Sequence, residues 1–390
     1  MDEGNWAQLP VGIDARQWLT RTTTRTVLVA VHTIVAGQRL LDIVDLIESD
    51  PRIQVVFTAA PEVFDADVPR FLRDIGAAVI PWRQATRERF DLALAASCSS
   101  IARLHAPVMV LPHGAGYGKR APSALGAVYG LDRAELIAQG RVLPASIVLS
   151  HRSQRELLAA ACPPALRVAT VAGDPCFDRL RASLPRRADY RRALGVEPDQ
   201  ELVVVASTWG PKGLFGRSPD VVADLPRMLG ASRYRTAALF HPAMWAHGAR
   251  QLRAWVADAC AAGLRLVEPT VDWRGIVVAA DHVIGDHGSV STYAAAVGRP
   301  VHYVDTGAEL AAGSAQEFLR GHAPRWSGRP DFGRPEPGFA EAVRDRLTSC
   351  PGRSHRLLRA RMYRLLRLAE PAAAPLVQAV PLPRNGVCHD

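Results

Sequence analysis

The sequence predicts an α/β protein of two domains, each a parallel β-sheet covered by helices. Short runs of Val, Ile and Leu alternate with helical stretches, and this alternation starts again after residue 200. The 390 residues also exceed the usual size of a single hydrophobic core. We therefore expect an N-terminal domain over residues 1–180 and a C-terminal domain over residues 181–350, with their sheets facing each other across a cleft.

The first half of the chain is predicted to hold seven strands and three helices. The strands are expected at residues 27–31, 53–58, 77–80, 92–95, 108–111, 147–149 and 168–171. The helices are expected at residues 40–47, 63–75 and 152–161. A polar, arginine-rich stretch with two prolines then follows at residues 179–200, and it is predicted to be the bridge between the domains.

The second half repeats the pattern without repeating the sequence. Strands are expected at residues 202–206, 237–240, 264–267, 282–284 and 301–304, and helices at residues 221–229, 249–261 and 291–297. Residues 314–339 are rich in Gly, Pro and Arg and are predicted to form a loop. An Arg/Leu amphipathic helix at 357–368, within a segment 351–372, is expected to pack back on the first domain or to present a basic surface, and residues 373–390 are expected to be a flexible tail.

Composition and charge narrow the classes of partner. The formal charge of +9 fits either an anionic partner or a merely solvated basic surface. Nucleic acid is not expected, because no block of five or six basic residues and no interleaving of aromatic and basic residues occurs. The six cysteines lack a C-x-x-C pair, and no apolar run reaches about 18 residues. We expect a cytoplasmic protein with no signal segment, and peripheral contact with a membrane stays open.

A histidine and two glycines follow the strand predicted at 108–111. The imidazole of His113 can take a proton from an attacking hydroxyl near neutral pH. Gly114 and Gly116 allow the backbone to approach a ligand closely, and Lys119 adds positive charge. The alternative is a turn histidine that forms hydrogen bonds only within its own loop.

A glycine turn and the start of a helix follow the strand predicted at 282–284. A helix N-terminus offers free N–H groups and partial positive charge, so this turn has the form of a phosphate site. Gly288 would let the phosphate rest against the backbone. The alternative is an ordinary N-cap formed by Ser289 or Ser291. The candidate phosphate-binding residues are Gly285, Asp286, His287, Gly288, Ser289, Ser291 and Thr292.

Two further strand ends carry candidate groups. His241, followed by Pro242, ends one strand, and a turn that contains Thr208 and Trp209 follows another. The hydroxyls, glycines and lysine of that turn suit phosphate contacts, although their spacing does not match a P-loop. A buried, satisfied histidine and a simple turn are the alternatives. The sequence shows no H-E-x-x-H motif, nucleophile elbow or cluster of carboxylates, so we expect no metal or other bound cofactor.

Taken in order, these motifs resemble the CDP-glycerol glycerophosphotransferase family, the teichoic-acid polymerases and their relatives, which have a GT-B fold of two Rossmann-like domains. The resemblance covers residues 105–305, and the family's double serine is replaced here by Gly288-Ser289. An aromatic residue of the family is replaced by His287. The matching segments are His113-Gly114-Ala115-Gly116 with Lys119, residues 173–180, the strand ending at Thr208-Trp209, His241-Pro242 and Asp286-His287-Gly288-Ser289.

The resemblance implies a transferase that moves a glycerophosphate-type or sugar group from a CDP- or UDP-linked donor to an acceptor hydroxyl, which a polymer or a lipid could carry. It implies that His113 is the base and that His241 and Ser289 hold the donor diphosphate, with Ser291 as a further candidate. Two alternatives stay open. One is a UDP-sugar 2-epimerase or an ordinary GT-B glycosyltransferase. The other is a catalytically silent nucleotide- or polymer-binding protein, suggested by the missing serine.

Overall fold

The chain forms two compact units, each organised around one parallel sheet. The structure is a computed structural model that describes residues 7, 9, 21, 23–62, 67–120, 128–246 and 248–383. Unit 1 consists of Met1–Cys176 and Thr348–Leu376, and unit 2 of Phe177–Leu347 and Val377–Asp390. The predicted α/β class with parallel sheets is confirmed.

The sheet of unit 1 has the order β2-β1-β3-β4-β7-β8 within the described part of the chain, and its neighbouring strands are parallel. Its central strands are buried and almost wholly apolar, as expected for a parallel sheet covered on both faces. The strands are β1 (Arg25–Val31), β2 (Ile53–Ala59), β3 (Leu92–Ala95), β4 (Val108–Val110), β7 (Ser146–Leu149) and β8 (Ala169–Val171). A separate antiparallel pair is formed by β5 (Ile137–Ala138) and β6 (Arg141–Val142).

Helices and short 3₁₀ turns connect these strands. The first helix begins at a capping residue, because the Thr33 hydroxyl accepts a hydrogen bond from the Ala36 N–H. The predicted strand at 77–80 is reduced to a single bridge between Val79 and Phe57. The predicted helix at 63–75 begins at Val68, and its residues 63–66 lie outside the described residues. The helices are α1 (Ile34–Val44), α2 (Val68–Asp74), α3 (Trp82–Ala85), α4 (Arg133–Leu136), α5 (Gln154–Ala161) and α6 (Pro175–Ser183), in which the division between the units falls.

The sheet of unit 2 has the order β11-β10-β9-β12-β13 among the described residues, again with parallel neighbours. Its strands are β9 (Glu201–Ser207), β10 (Tyr234–Phe240), β11 (Leu264–Val267), β12 (His282–Gly285) and β13 (Val301–Tyr303). The helices around it are α7 (Arg187–Ala193), α8 (Leu214–Arg217), α9 (Asp220–Leu229), α10 (Pro242–Ala246), α11 (Ala249–Trp255), α12 (Ala257–Ala261), α13 (Trp273–Ala279), α14 (Ser289–Ala296), α15 (Ala315–His322) and α16 (Phe339–Leu347).

The stretch predicted to bridge the domains, residues 179–200, is instead largely helical. It contains the end of α6, a 3₁₀ turn and α7, and Tyr190 of α7 is fully buried. The guanidinium groups of Arg187 and Arg191 each donate to the carboxylate of Asp281, at 2.5 Å. These arginines are therefore paired with an acid far away in the sequence, and the stretch is an ordered part of unit 2.

The segment predicted to be a loop, residues 314–339, contains α15. Ser314 caps this helix by accepting a hydrogen bond from the Glu317 N–H at 3.1 Å. The Glu317 carboxylate in turn accepts one from the N–H of Gly313 at 2.7 Å. This arrangement is close to a capping box, in which a Ser and a Glu three residues later satisfy free N–H groups at a helix start. The loop prediction therefore holds only after His322.

The returning chain forms the last helix, α17 (Ser354–Leu366), which packs against α1 and β3 of unit 1. Its residues Leu358, Met362 and Leu366 belong to the same buried core as the central strands. Within the segment expected to be a flexible tail, Val380 is buried in unit 2, where its carbonyl accepts a hydrogen bond from the Tyr190 hydroxyl at 2.6 Å. Residues 384–390 of that tail lie outside the described residues. No helix of the described chain is long and apolar enough to span a membrane.

Candidate functional site

His113 lies just beyond the end of β4, at the carboxyl edge of the sheet of unit 1. Ligands of open α/β sheets bind outside this edge, so the position suits a functional side chain. The imidazole is half-buried, and its ring meets that of Tyr129 edge-to-face with centroids 6.1 Å apart. The Tyr129 N–H donates to the carbonyl of Lys119 at 3.0 Å, which places Lys119 in the same loop region.

The surroundings of His113 keep its imidazole neutral at physiological pH. Burial lowers its pKa from the ordinary 6.5 to about 4, and the positive charges of Lys119 and Arg39 lower the pKa further than burial alone would. A backbone hydrogen bond with Ala96 acts in the opposite direction. A neutral imidazole has a lone pair available, so His113 can accept a proton without first losing one.

A buried arginine holds the turn after His113. Arg39 of α1 donates from Nη2 to the carbonyl of Gly114 and from Nη1 to the carboxylate of Asp174, both at 3.0 Å. Arg39 is only 5% exposed and Asp174 only 2% exposed. Asp174 lies in the segment 173–180 that carries part of the family resemblance. The ion pair therefore links two of the motifs that resemble the family and fixes the turn that carries the histidine.

Gly116 adds a second constraint to this turn. Its φ is +65°, and a Cβ there would lie 2.7 Å from the Gln154 side-chain nitrogen and 2.8 Å from the Ser150 hydroxyl. Only glycine adopts this positive φ and also leaves room for the two neighbouring side chains at low energetic cost. Gly116 therefore serves the close packing of its own loop, which is a structural reason for the glycine beside the one predicted from ligand approach.

A second histidine that the sequence reasoning did not include lies at the same edge. His32 follows β1 directly and is 1% exposed. Its Nε2 donates to the carbonyl of Ser99 at 2.8 Å, while Nδ1 has no hydrogen-bond partner among the described residues. A positive charge on His32 would lower the pKa of His113, and it is the smallest of the effects that act on that imidazole. The sequence did contain a signal for this residue. His32 directly follows the strand predicted at 27–31 and precedes Thr33, a residue type that caps helices.

In unit 2 the predicted motifs meet at one edge of the sheet. The ends of β10, β9 and β12 are neighbours, and the His241 N–H donates to the carbonyl of Ser207 at 3.1 Å. The adjoining residue, Thr208, donates from both its N–H and its hydroxyl to Asp286, each at 2.8 Å. The residues predicted from three separate segments are thus brought together around the N-terminus of α14.

The carboxylate of Asp286 is fully engaged by the protein. Besides the two hydrogen bonds from Thr208, it accepts one from the Leu214 N–H at 2.8 Å and one from the Gly288 N–H at 2.9 Å. A Cβ at Gly288 would lie 2.9 Å from the Thr208 methyl group and 3.0 Å from an Asp286 oxygen. Asp286 therefore ties two loops together, and the glycine at 288 is explained by this packing.

The hydroxyl groups in the first turn of α14 differ in exposure. The N-cap is Gly288, which has no side chain to cap the helix. Neither Ser289 nor Ser291 is therefore the N-cap residue that the alternative required. Thr292 is buried and donates back to the Gly288 carbonyl at 3.1 Å. Ser291 is also buried, and a Cβ at Gly285 would overlap its hydroxyl. Ser289 is the half-exposed hydroxyl of this turn.

The remaining candidates differ in exposure. His241 is half-exposed, and its Nδ1 accepts a hydrogen bond from the Ala243 N–H at 3.2 Å, which places the proton of the neutral ring on Nε2. His287 is buried against the hydroxyl of Thr306 at 3.2 Å. Trp209 is 44% exposed. Among the described residues no group of three or more His, Cys, Asp or Glu is placed to hold a metal ion.

Replacing Asp286 with alanine should lower the stability of unit 2. Four donors that now share one buried carboxylate would lose it, and we expect the free energy of unfolding to fall by about 2–4 kcal/mol. Chemical denaturation measures this. The control is Asp305→Ala, because Asp305 is exposed. Unchanged stability of Asp286→Ala would mean that this carboxylate does not hold the two loops together.

Comparison with solved structures identifies the architecture. A variant of the wall teichoic acid polymerase TagF matches with a TM-score of 0.58 at 11% identity, over 89% of this chain and 90% of that one. A TagF structure soaked with CDPG matches with a TM-score of 0.57 at 12% identity, over the same shares. The S. aureus MnaA–UDP structure matches with a TM-score of 0.50 at 10% identity, over 90% and 100%. No protein-family model matches the sequence, and no curated protein matches it significantly. The chain therefore has the GT-B architecture, with a Rossmann-like parallel sheet in each unit.

Proposed function

We propose that this protein is a transferase that moves a glycerophosphate-type or sugar group from a nucleotide-diphosphate-activated donor to an acceptor hydroxyl carried by a polymer or a lipid. The observation that carries the proposal is His113, a neutral, half-buried imidazole at the carboxyl edge of the first sheet. The GT-B architecture supports it, because a TagF structure soaked with CDPG and the MnaA–UDP structure share that fold.

The donor diphosphate is proposed to bind at the N-terminus of α14. The partial positive charge of a helix N-terminus attracts the negative charge of a diphosphate. Ser289 adds a hydroxyl donor, and the Nε2–H of His241, which follows β10 and is separated from β12 by β9, adds a second directed hydrogen bond. Asp286 and Thr208 support the proposed site by holding its two loops together through their hydrogen bonds. Trp209 offers an exposed ring beside it.

The transfer step is proposed to use His113 as the general base. The acceptor oxygen forms a bond to the phosphorus or the sugar carbon of the transferred group while the His113 imidazole takes the hydroxyl proton. The bond from that atom to the nucleotide oxygen breaks, and the nucleotide leaves with the electron pair. The N-terminus of α14 stabilises the negative charge on the leaving group. These roles need positioning and charge, which the side chains of the chain supply.

Two alternatives remain distinguishable from this proposal. A UDP-sugar 2-epimerase shares the GT-B architecture, and carboxylates near the donor would favour it. The carboxylate at this turn, Asp286, is already occupied by four hydrogen bonds, so it is poorly placed for proton transfer. A silent binding protein would hold the nucleotide without turnover, so turnover of a nucleotide-linked donor by the wild type separates that case from an enzyme.

The variant His113→Ala should lose turnover and keep donor affinity. The base acts on the acceptor, so its loss removes help to the transition state of roughly 10²–10⁴-fold in kcat. Steady-state kinetics together with calorimetric titration of the donor measures both quantities. Normal turnover by the variant would show that His113 is only a turn residue.

The pH dependence of turnover should reflect the low pKa of His113. A base must be unprotonated, so the rate falls as the pH drops through that pKa, and the acidic limb should lie near pH 4 rather than near 6.5. Lys119→Gln removes a positive charge, so the pKa should rise and the limb should move to higher pH. Arg120→Gln is the matched control, because Arg120 is an exposed neighbour that does not perturb His113. Identical shifts in both variants would contradict the assignment.

The double variant Ser289→Ala/His241→Ala should weaken binding of nucleoside diphosphates far more than binding of nucleosides. Each lost hydrogen bond to a charged phosphate costs roughly 1.5–3 kcal/mol, whereas the nucleoside does not use these groups. Calorimetry with CDP, UDP, GDP and their nucleosides measures the difference. The control carries the same changes at exposed sites, Ser232→Ala/His105→Ala. Equal losses for both ligand classes would rule out a phosphate site at this turn.

A further inference from the structure

Three arginines of unit 2 converge on one aspartate at the edge of the sheet where the parallel strands begin. Arg187 and Arg191 of α7 donate to the Asp281 carboxylate, each at 2.5 Å. Arg299 precedes β13, and its Nη1 lies 3.5 Å from the Ala280 carbonyl oxygen. The Nη2 of Arg187 lies 3.4 Å from the same oxygen, so these two guanidinium groups are neighbours. We call Arg187, Arg191 and Arg299 the arginine triad.

The arginine triad carries more positive charge than the surrounding acids neutralise. Asp281 is the acid that forms ion pairs with it among the described residues. Glu201, which lies close by, is engaged by Arg233 at 3.1 Å. Burial lowers the pKa of Arg299, and the charge of Arg187 lowers it further, whereas Asp281 raises it. Three guanidinium groups and one carboxylate thus leave two positive charges in excess.

Two donor groups of the arginine triad are shielded from water and lack an acceptor. The Nε atoms of Arg187 and Arg299 are buried and have no hydrogen-bond partner among the described residues. A buried N–H group without an acceptor costs free energy, and such groups are uncommon in folded proteins. The triad therefore offers donors to an acceptor that the described residues do not supply.

A purely structural role explains only part of the arginine triad. Arg191 donates to Asp281 and also to the carbonyl of Gln200, at 2.6 Å, so it joins α7 to the segment before β9. Arg299 is different. Its half-buried side chain reaches, among the described residues, just the Ala280 carbonyl at 3.5 Å, which is beyond the usual length of a hydrogen bond. The contacts of Arg191 serve the fold, whereas the placement of the Arg299 guanidinium does not follow from them.

We propose that the arginine triad binds a phosphate group, either free inorganic phosphate or the phosphate of a small phosphomonoester. Planar guanidinium groups bind phosphate oxygens through paired, charge-assisted hydrogen bonds. The two excess positive charges match a phosphate dianion better than they match a single carboxylate. The Arg187 side chain is 31% exposed and that of Asp281 23%, so a solute can reach the cluster.

The arginine triad lies at the opposite end of β12 from the proposed donor site. Asp281 directly precedes this strand, whereas α14 follows it. The strand has four residues and spans roughly 13 Å at about 3.3 Å per residue. A phosphate at the triad is therefore separate from a diphosphate at the N-terminus of α14, and the proposal does not depend on the transferase activity.

Calorimetric titration of the full chain with inorganic phosphate tests this proposal. The wild type should bind phosphate more tightly than acetate, which carries a single charge. Arg299→Gln should weaken phosphate binding about ten- to a hundredfold, as expected when hydrogen bonds to a charged group are lost. Arg299→Lys keeps the charge but loses the planar donor pair, so its affinity should lie between those of the wild type and Arg299→Gln. Phosphate binding should persist in Ser289→Ala/His241→Ala.

Titration with ribose 5-phosphate distinguishes the two sources of the phosphate group. Tighter binding of ribose 5-phosphate than of inorganic phosphate would identify a phosphomonoester as the ligand, and the reverse order would identify the free ion. Either order supports the proposal if the affinity falls in Arg299→Gln, because both ligands present the same group to the triad.

The matched control is Arg329→Gln, which removes one positive charge at an exposed position of unit 2. It should bind phosphate like the wild type. Thermal melting should show that the variants are folded, and Arg299→Lys carries the comparison if Arg299→Gln is not. Equal losses in Arg299→Gln and Arg329→Gln would mean that only net charge matters. That result would overturn the proposal, as would a wild type that binds no phosphate, or binding that is lost in Ser289→Ala/His241→Ala and kept in Arg299→Gln.

Discussion

The partial burial of one imidazole, beside positive charges, is the interaction on which the proposed chemistry depends. Burial and the charges of Lys119 and Arg39 together favour the neutral form of His113. The nearby acids could reverse this effect if they faced the ring, because a carboxylate stabilises an imidazolium. Asp174 is instead committed to Arg39, and Asp42 lies 3.9 Å from the same guanidinium. One arginine thus neutralises the acids, contributes positive charge and holds the turn.

At the sheet edge of unit 2, a negatively charged side chain lies where we propose that an anion binds. A site for a diphosphate requires positive potential, yet the turn before α14 contains an aspartate. Its carboxylate accepts four hydrogen bonds from the surrounding loops. Asp286 therefore orders the ends of β9 and β12 relative to each other. With that carboxylate engaged, the partial positive charge of the α14 N-terminus favours the diphosphate site that we propose there.

The elements that could be predicted from sequence are those whose cause is local. The strands at 92–95 and 264–267 were predicted to the residue, because buried parallel strands appear as short apolar runs between breakers. The helix α7 was missed because its arginines pair with Asp281, about 90 residues away. The start of α15 is marked in the sequence by Ser314 and Glu317, which have the spacing of a capping box.

In the candidate site, too, local sequence patterns predicted some features, and contacts between distant segments determined the others. The order of motifs placed the functional positions at strand ends, but it could not show what each side chain does. The role of Asp286 depends on Thr208 and Leu214, more than 70 residues earlier in the chain. His32 was absent from the motifs, because the resemblance begins only at residue 105. That its Nδ1 has no hydrogen-bond partner among the described residues is visible only in three dimensions.

Hydrolysis and transfer with a panel of CDP-, UDP- and GDP-linked donors, using the purified wild type and His113→Asn, tests the proposed role of His113 most directly. We expect the wild type to release the nucleotide from at least one CDP- or UDP-linked donor, with stimulation by an acceptor hydroxyl. We also expect turnover to fall roughly 10²–10⁴-fold in the variant, with donor binding retained. Donor binding without turnover by the wild type, or equal turnover by the two proteins, would contradict it.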